Sequence, residues 1–261
     1  MRYREGLDLV LKGISFKIKG KQKIGVVGRT GAGKSSLTYA LMRIVEPAAG
    51  TIFIDGIDIS TIELNALRSQ ISIVPQDPVL FEGTVRDNLD PKGEFTDKEI
   101  WEVVNKAHIQ DLLKTPTAKY APSNNCQSNF FDMASRPWVE KTGLDKWVTS
   151  NGKNFSVGQR QLISLCRALL WRRPILILDE ATANIDMATD KIMQQVVQAE
   201  FQSSTVITIA HRLDTIMNSD KILVVDNGRI AEYDTPSNLL AQSNSQFAKL
   251  IENMNFNKRN N

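Results

Sequence analysis

The chain has 261 residues, 42% hydrophobic and 23% charged, which excludes a disordered or fibrous polymer and suffices for one large α/β domain or two small ones. A net charge of +3 is too small for this length to point to nucleic acid. Two cysteines, Cys126 and Cys166, make no disulfide framework and fit a reduced, cytosolic protein. No apolar run approaches the ~20 residues that a bilayer crossing needs, so any membrane part is expected outside this chain. The charged start, Met1 to Glu5, lacks the apolar centre of a signal peptide.

Short β-like runs alternate with helical patterns, which predicts a mostly parallel sheet. Residues 23–27 read as a buried strand. A helix is expected from Lys34, with Leu37, Leu41, Ile44 and Val45 on one face. Residues 51–54 and 71–74 read as further strands. Thr96-Asp97-Lys98-Glu99 has the form of a capping box, and Ile100, Val103, Val104 and Ala107 follow at helical spacing. Residues 115–143 show no period and hold Pro116, Pro122, Pro137 and an Asn/Ser cluster, so a long, partly disordered insertion is expected. Helical order returns at Ser156. Residues 175–178, 206–209 and 222–225 read as core strands, and Asp226-Asn227-Gly228 as a hairpin turn. The end of the chain, after Phe247, is expected to fray.

Two stretches carry chemistry. Gly28-Arg29-Thr30-Gly31-Ala32-Gly33-Lys34-Ser35 fits G-x-x-x-x-G-K-[ST] between a buried strand and a helix. Its glycines let backbone N–H groups approach phosphate oxygens, and the helix start adds positive potential. Lys34 is expected to reach the β- and γ-phosphates, and the Ser35 hydroxyl to ligate Mg²⁺. Asp179-Glu180 closes the apolar run 175–178, at the strand ends where ligands sit in such folds. Asp179 is expected to hold Mg²⁺ and Glu180 to polarise the attacking water. An Asp-Glu pair after a strand is by itself more often the solvated start of a loop; the upstream phosphate loop changes that weight.

With these two motifs in this order, the chain resembles the nucleotide-binding domain of ABC transporters. Phe155-Ser156-Val157-Gly158-Gln159-Arg160-Gln161 is similar to the ABC signature. Gln76 matches the Q-loop, Ala183-Asn184-Ile185-Asp186 the D-loop, and His211 the switch histidine. The six motifs run in order from residue 28 to 211. Pro75-Gln76-Asp77-Pro78-Val79-Leu80-Phe81 and Asn88-Leu89-Asp90-Pro91 look most like the second domain of the multidrug-resistance-associated, C-subfamily exporters. In that branch the first domain often has Asp for the catalytic Glu, and here Glu180 is present.

The resemblance implies a P-loop NTPase (RecA-like) α/β core with an antiparallel β edge and an inserted α-helical subdomain. The core would be residues 1–76 and 171–236, the subdomain 77–170, and the tail 237–261. It implies ATP and Mg²⁺ as cofactors, the metal on Ser35, Gln76 and Asp179. Glu180, His211, Lys34 and Gln76 would be catalytic. Nucleotide would contact Gly28 to Ser36 and Gln76, with Tyr3 stacking on adenine. Ser156, Gly158, Gln159 and Asp186 would serve the shared site. It implies a head-to-tail pair with a second nucleotide-binding domain, and transmembrane domains that hold the pair at the cytoplasmic face. The family's usual strand ahead of Tyr3 is absent, the expectation for a shortened chain.

Bland readings stand beside these. Ser156 and Gln159 already satisfy a capping box, and a capped helix start still binds an anion. A lone His after an apolar strand is usually structural, an exposed terminal Tyr is commonly nothing, and His108 reads as a surface or packing residue. Phe155 and Val157 replace the signature's Leu and Gly, and Asn184 a small D-loop residue. Residues 148–153 lack the family's acidic residue, which leaves communication with the membrane domains open. The rivals are a soluble non-transport ABC ATPase and an ATP-gated regulatory module with little hydrolysis.

Overall fold

A computed structural model describes residues 1–114, 142–210 and 212–259, with side chains to residue 253. The greater part of the expected insertion (115–141), Cys126 and His211 lie outside these residues. In chain order the elements are β1 (Lys23–Val27), α1 (Lys34–Leu41), β2 (Phe53–Ile54), β3 (Ile57–Asp58), α2 (Leu64–Arg68) and β4 (Ile71–Val74). Next come β5 (Gly83–Thr84), α3 (Val85–Leu89), α4 (Asp97–Lys106), α5 (Gln110–Lys114), β6 (Trp147–Val148) and α6 (Val157–Trp171). The last are β7 (Ile175–Asp179), α7 (Met187–Glu200), β8 (Thr205–Ile209), β9 (Lys221–Asp226), β10 (Arg229–Asp234), α8 (Pro236–Ala241) and α9 (Gln246–Arg259).

The chain divides into two compact units, one of residues Met1–Asp77 and Trp171–Asn261, the other of Pro78–Leu170. The first unit is built on a six-stranded sheet in the order β10-β9-β1-β8-β7-β4. All neighbours are parallel except the edge pair β9–β10. The parallel strands are near-continuous apolar runs because helices cover both faces. Ile24, Val26, Val27, Leu176, Ile177, Val206 and Ile209 are each at most 2% exposed. The edge hairpin turns at Asn227 and Gly228, both with positive φ (48° and 78°), the pattern a two-residue turn of twisted strands requires. Register aligns the ends of the strands, so Val74 pairs with Leu178 and Asp179 with Ile209. The residues just past β1, β4, β7 and β8 therefore emerge along one edge of the sheet.

The second unit is helical. Thr96 and Glu99 close a reciprocal capping box at the start of α4, and Ile100, Val103, Val104 and Ala107 form its buried face, as expected. His108 follows with φ 56° and is exposed. His108 and Ile109 N–H donate to Asn105 and Val104 carbonyls, a left-handed helix stop. In α6, Cys166 is fully buried, its Sγ 3.8 Å from the Val103 carbonyl oxygen. Half-buried Arg167 donates from Nε and Nη2 to the Asn88 carbonyl and Oδ1, and from Nη1 to the Val79 carbonyl, all within this unit. No helix among the described residues is long and apolar enough to cross a membrane.

Three expectations need correction. Helix α1 ends at Leu41, so Ile44 and Val45 do not extend its apolar face. Arg43 turns to φ 50° and its guanidinium donates to the Ile59 and Ile62 carbonyls, which stops the helix and leaves Ile44 55% exposed. The strand expected over residues 51–54 shrinks to Phe53–Ile54, paired only with β3. The end of the chain is helical through Arg259, because Glu232 accepts the Gln246 and Phe247 N–H groups at the start of α9 and Phe247 is fully buried.

Candidate functional site

The phosphate-type loop joins β1 to α1. Gly28 has φ 154°, and a Cβ there would lie 2.1 Å from the Val225 carbonyl oxygen, so no side chain fits. Gly33 has φ 106° and backs onto Leu11, 2.9 Å from where its Cβ would stand. Gly33 heads α1 with no side-chain cap, so the first-turn N–H groups are left for an external acceptor. Arg29 and Thr30 are exposed, Ala32 is buried, and the Gly228 N–H donates to the Ala32 carbonyl. The loop is thus held from behind by the β9–β10 turn.

Lys34 is buried, and its Nζ donates to the Gly28 and Arg29 carbonyls at 3.0 and 3.3 Å. It also stands 4.0 Å from Glu180 Oε1. Ser35 Oγ lies 3.5 Å from Asp179 Oδ1. The loop and the end of β7 therefore share one cluster of one ammonium, one hydroxyl and two carboxylates. Burial, and then the neighbouring Glu180 charge, push the Asp179 carboxyl above its ordinary range; Ser35 and Lys34 pull the other way. Glu180 sits at φ 48°, uncommon for a side-chain-bearing residue, and its N–H donates to the Ile209 carbonyl of β8. That bond ties the turn after β7 to the neighbouring strand and aims the carboxylate.

Gln76 is exposed two residues beyond β4, on the same sheet edge. Asp186 caps α7 by accepting from the Thr189 N–H at 3.0 Å and the Thr189 hydroxyl at 2.7 Å, which holds its carboxyl below the usual range. Tyr3 is 44% exposed. Its hydroxyl pairs with Ser36 Oγ at 2.7 Å and its ring meets Tyr39 edge-on, so it is tethered to α1. Ser156, Gly158 and Gln159 belong to the helical unit. The Gln159 N–H donates to Ser156 Oγ and Ser156 N–H to Gln159 Oε1, a capping box at the start of α6. Ser156 itself is exposed. Lys34, Ser35, Asp179 and Glu180 are brought together; Tyr3 joins them through Ser36.

Sequence reasoning missed the second layer. Val10, Leu11 and Val225 back the loop glycines, and Asp190 of α7 is paired to Arg212. The one signal for the latter was an acid in the first turn of α7 on its inward-facing side.

The ABC transporter family model matches residues 11–183, more than half of the chain. The chain is 49% identical over 251 residues to "ABC transporter C family MRP4" of Zea mays, covering 96% of this chain and 15% of that protein. It is 50% identical over 252 residues to "ABC transporter C family member 8" of Dictyostelium discoideum, covering 97% of this chain and 14% of that one. Among solved structures, a bacterial Atm1-family ABC exporter with ATP bound superposes with a TM-score of 0.79 at 32% identity, over 94% of this chain and 39% of that one. This likeness identifies the six-stranded sheet with its antiparallel edge as a P-loop NTPase core. The chain spans about a seventh of the length of these curated relatives. A phosphate loop faced by Asp179 and Glu180, on a fold and sequence shared with these proteins, places the chain in the ABC transporter family, as an ATP-binding and ATP-hydrolysing domain.

Proposed function

We propose that this domain powers export of a solute across a membrane by hydrolysing MgATP at a site shared between two such domains. The observation that carries it is the division of the motifs. Lys34, Ser35, Asp179 and Glu180 cluster in one unit, while the exposed helix start at Ser156 belongs to the other unit. In this reading the Ser156 end of one chain covers the nucleotide of its partner, with Gly158 allowing close approach. Export, and attachment to transmembrane domains at the cytoplasmic face, are supported by the exporter and C-family names of its relatives. The presence of Glu180 supports kinship with the second, hydrolytically competent domain of C-family exporters.

The donor set suits magnesium. Ser35 and Asp179 offer two hard oxygens, and Mg²⁺ usually takes one or two protein ligands, keeping waters and phosphate for the rest. A cation there would also offset the penalty that burial and Glu180 place on an ionised Asp179. When bound, the ion would neutralise phosphate charge. Lys34 would leave its carbonyl acceptors for the β- and γ-phosphates, Glu180 would orient and polarise the attacking water, and Gln76 and His211 would contact the reacting end of the nucleotide. Tyr3 would lie against the base. Closing the pair would exclude water and strengthen these interactions.

Mixing two variants tests the shared site. Ser156→Arg and Lys34→Ala chains should each be nearly inactive alone, because both sites of each homodimer are broken. Together they should recover one site that joins the intact Lys34 of the first chain to the intact Ser156 of the second. Turnover that is first order in protein, with no recovery on mixing, would overturn the proposal.

A further inference from the structure

Asp190 lies in the first turn of α7 with its side chain only 5% exposed. A carboxylate so buried requires partners. Arg212 Nη1 stands 3.2 Å from its Oδ2, and Gln194 Nε2 donates to its Oδ1 at 2.8 Å. Arg212 is itself a fixed point. Its carbonyl accepts from the Thr215 hydroxyl at 2.7 Å and the Thr215 N–H at 3.3 Å, opening the short helical turn Leu213–Ile216. Ile216 is fully buried, and a Cβ on Gly25 of β1 would lie 2.7 Å from its own Cβ. Before Arg212, the Ala210 N–H donates to the Val26 carbonyl, and the Ile209 carbonyl accepts from the Glu180 N–H. The chain leaving β8 is thus tied to β1 on both sides of Arg212, to the Glu180 turn, and through Arg212 to α7. Helix α7 in turn is capped by Asp186.

We propose that Asp190 and Arg212 are a positioning pair for ATP hydrolysis, fixing the D-loop helix against the end of β8. The proposal rests on the reading of the site given under Proposed function. Arg212 follows His211 directly in sequence, and Ile209 supplies the acceptor that sets the Glu180 turn. The phosphate loop has its own backing, from Val225, Leu11 and the Gly228 N–H bond to the Ala32 carbonyl, so a shift of this segment moves the hydrolytic side of the site more than the loop. A misplacement of about 1 Å far from the chemistry is enough to cost up to about 100-fold in rate. Turnover should therefore depend on the pair and nucleotide affinity should not.

A purely structural ion pair and a positioning pair differ in one measurable respect. Removing one partner of a buried pair leaves a lone buried charge and destabilises the fold, whereas neutralising both removes that penalty. Asp190→Asn, Arg212→Gln and the double variant Asp190→Asn/Arg212→Gln are compared in the full chain, at a protein concentration where wild-type turnover has reached its plateau. Melting temperature, ATP affinity and kcat are read for each. The proposal expects the double variant to regain most of the melting temperature lost by the singles, to bind ATP as the wild type does, and to keep a kcat lowered by about 10-fold or more. A double variant whose kcat returns with its melting temperature would make the pair structural only, and so would a parallel loss of ATP affinity and kcat. Should a single variant fail to fold, Arg212→Lys keeps the charge but loses the planar fork; wild-type kcat in that variant, together with wild-type kcat in the double, overturns the proposal. A wild-type chain with no turnover at any concentration would instead fail the underlying reading of the site, independently of the variants.

Discussion

The Ser35 hydroxyl and Asp179 Oδ1 meet at 3.5 Å across 144 residues of chain, joining the first turn of α1 to the end of β7. That distance is at the outer limit of a hydrogen bond. The contact holds two oxygens side by side without saturating either, which suits a cation site better than a structural clasp.

Asp179 therefore carries a stability cost that substitution should expose. Its folded-state pKa is raised, by burial first and by Glu180 second. A carboxyl shifted this way contributes stability that is present below its unfolded pKa of about 3.9 and lost as pH rises through the folded value. At neutral pH the ionised group opposes folding of the nucleotide-free chain. Asp179→Asn should melt higher than the wild type there, by about 2–4 °C for each kcal/mol of burial and repulsion cost relieved. The gap should close as pH is lowered into the carboxylate range, and stabilisation by MgATP should be lost. Thermal melts across pH, with and without MgATP, check this; a lower melting point for the nucleotide-free variant at neutral pH counts against it.

Glu180→Gln should keep ATP binding and lose turnover by about 100-fold or more. The amide keeps the shape of the side chain beside Lys34 but cannot polarise water as a carboxylate does. Steady-state phosphate release and equilibrium nucleotide binding, measured on the same preparation, separate the two effects. Unchanged phosphate release would remove Glu180 from the role of base.

Lys34→Ala should weaken ATP binding as well as turnover, by about 10-fold or more in each, because the charge is removed from the ground-state phosphate site. Gly28→Ala should do the same by a different route, since its Cβ has no room against the Val225 carbonyl. Titration calorimetry with a slowly hydrolysed ATP analogue reads both, and wild-type affinity in either variant would contradict the assignment of this loop.

Two capping boxes with the same geometry should respond differently. Thr96→Ala at the start of α4 and Ser156→Ala at the start of α6 each lose an N-cap acceptor, worth about 1 kcal/mol. Denaturant titrations should show similar losses of stability. Only Ser156→Ala should lower turnover, by about 10-fold or more, because only that helix start is proposed to meet phosphate. Equal kcat values in the two variants would leave Ser156 as a cap and nothing else.

The parallel strands and the phosphate loop were legible because each is a local signal: an apolar run, fixed glycine spacing, a strand ending in two carboxylates. The turn at Asn227-Gly228 and the start of α4 were legible for the same reason. The end of α1 was not, because Arg43 stops it with bonds to Ile59 and Ile62, and no periodicity rule sees those. Nor was α9, whose start depends on Glu232 from a neighbouring strand. The Asp190–Arg212 pair escaped notice because the burial of Asp190 is set by tertiary packing. Local chemistry thus announced the phosphate loop and its facing carboxylates, while the framework behind them depended on contacts distant in sequence.

The buried Cys166 has a practical bearing on all of these tests. Its thiol is fully enclosed in α6 and burial pushes its pKa far up, so it holds almost no thiolate at neutral pH. Alkylating and cross-linking reagents act on the thiolate, and this residue gives them neither charge nor access. A chain carrying Cys126→Ser and a single new cysteine at the Ser156 helix start would therefore present one reactive sulfur to a probe, with Cys166 left in place. Pairing between two copies could then be followed by spectroscopic distance or by cross-link yield, without disturbing the packing of α6.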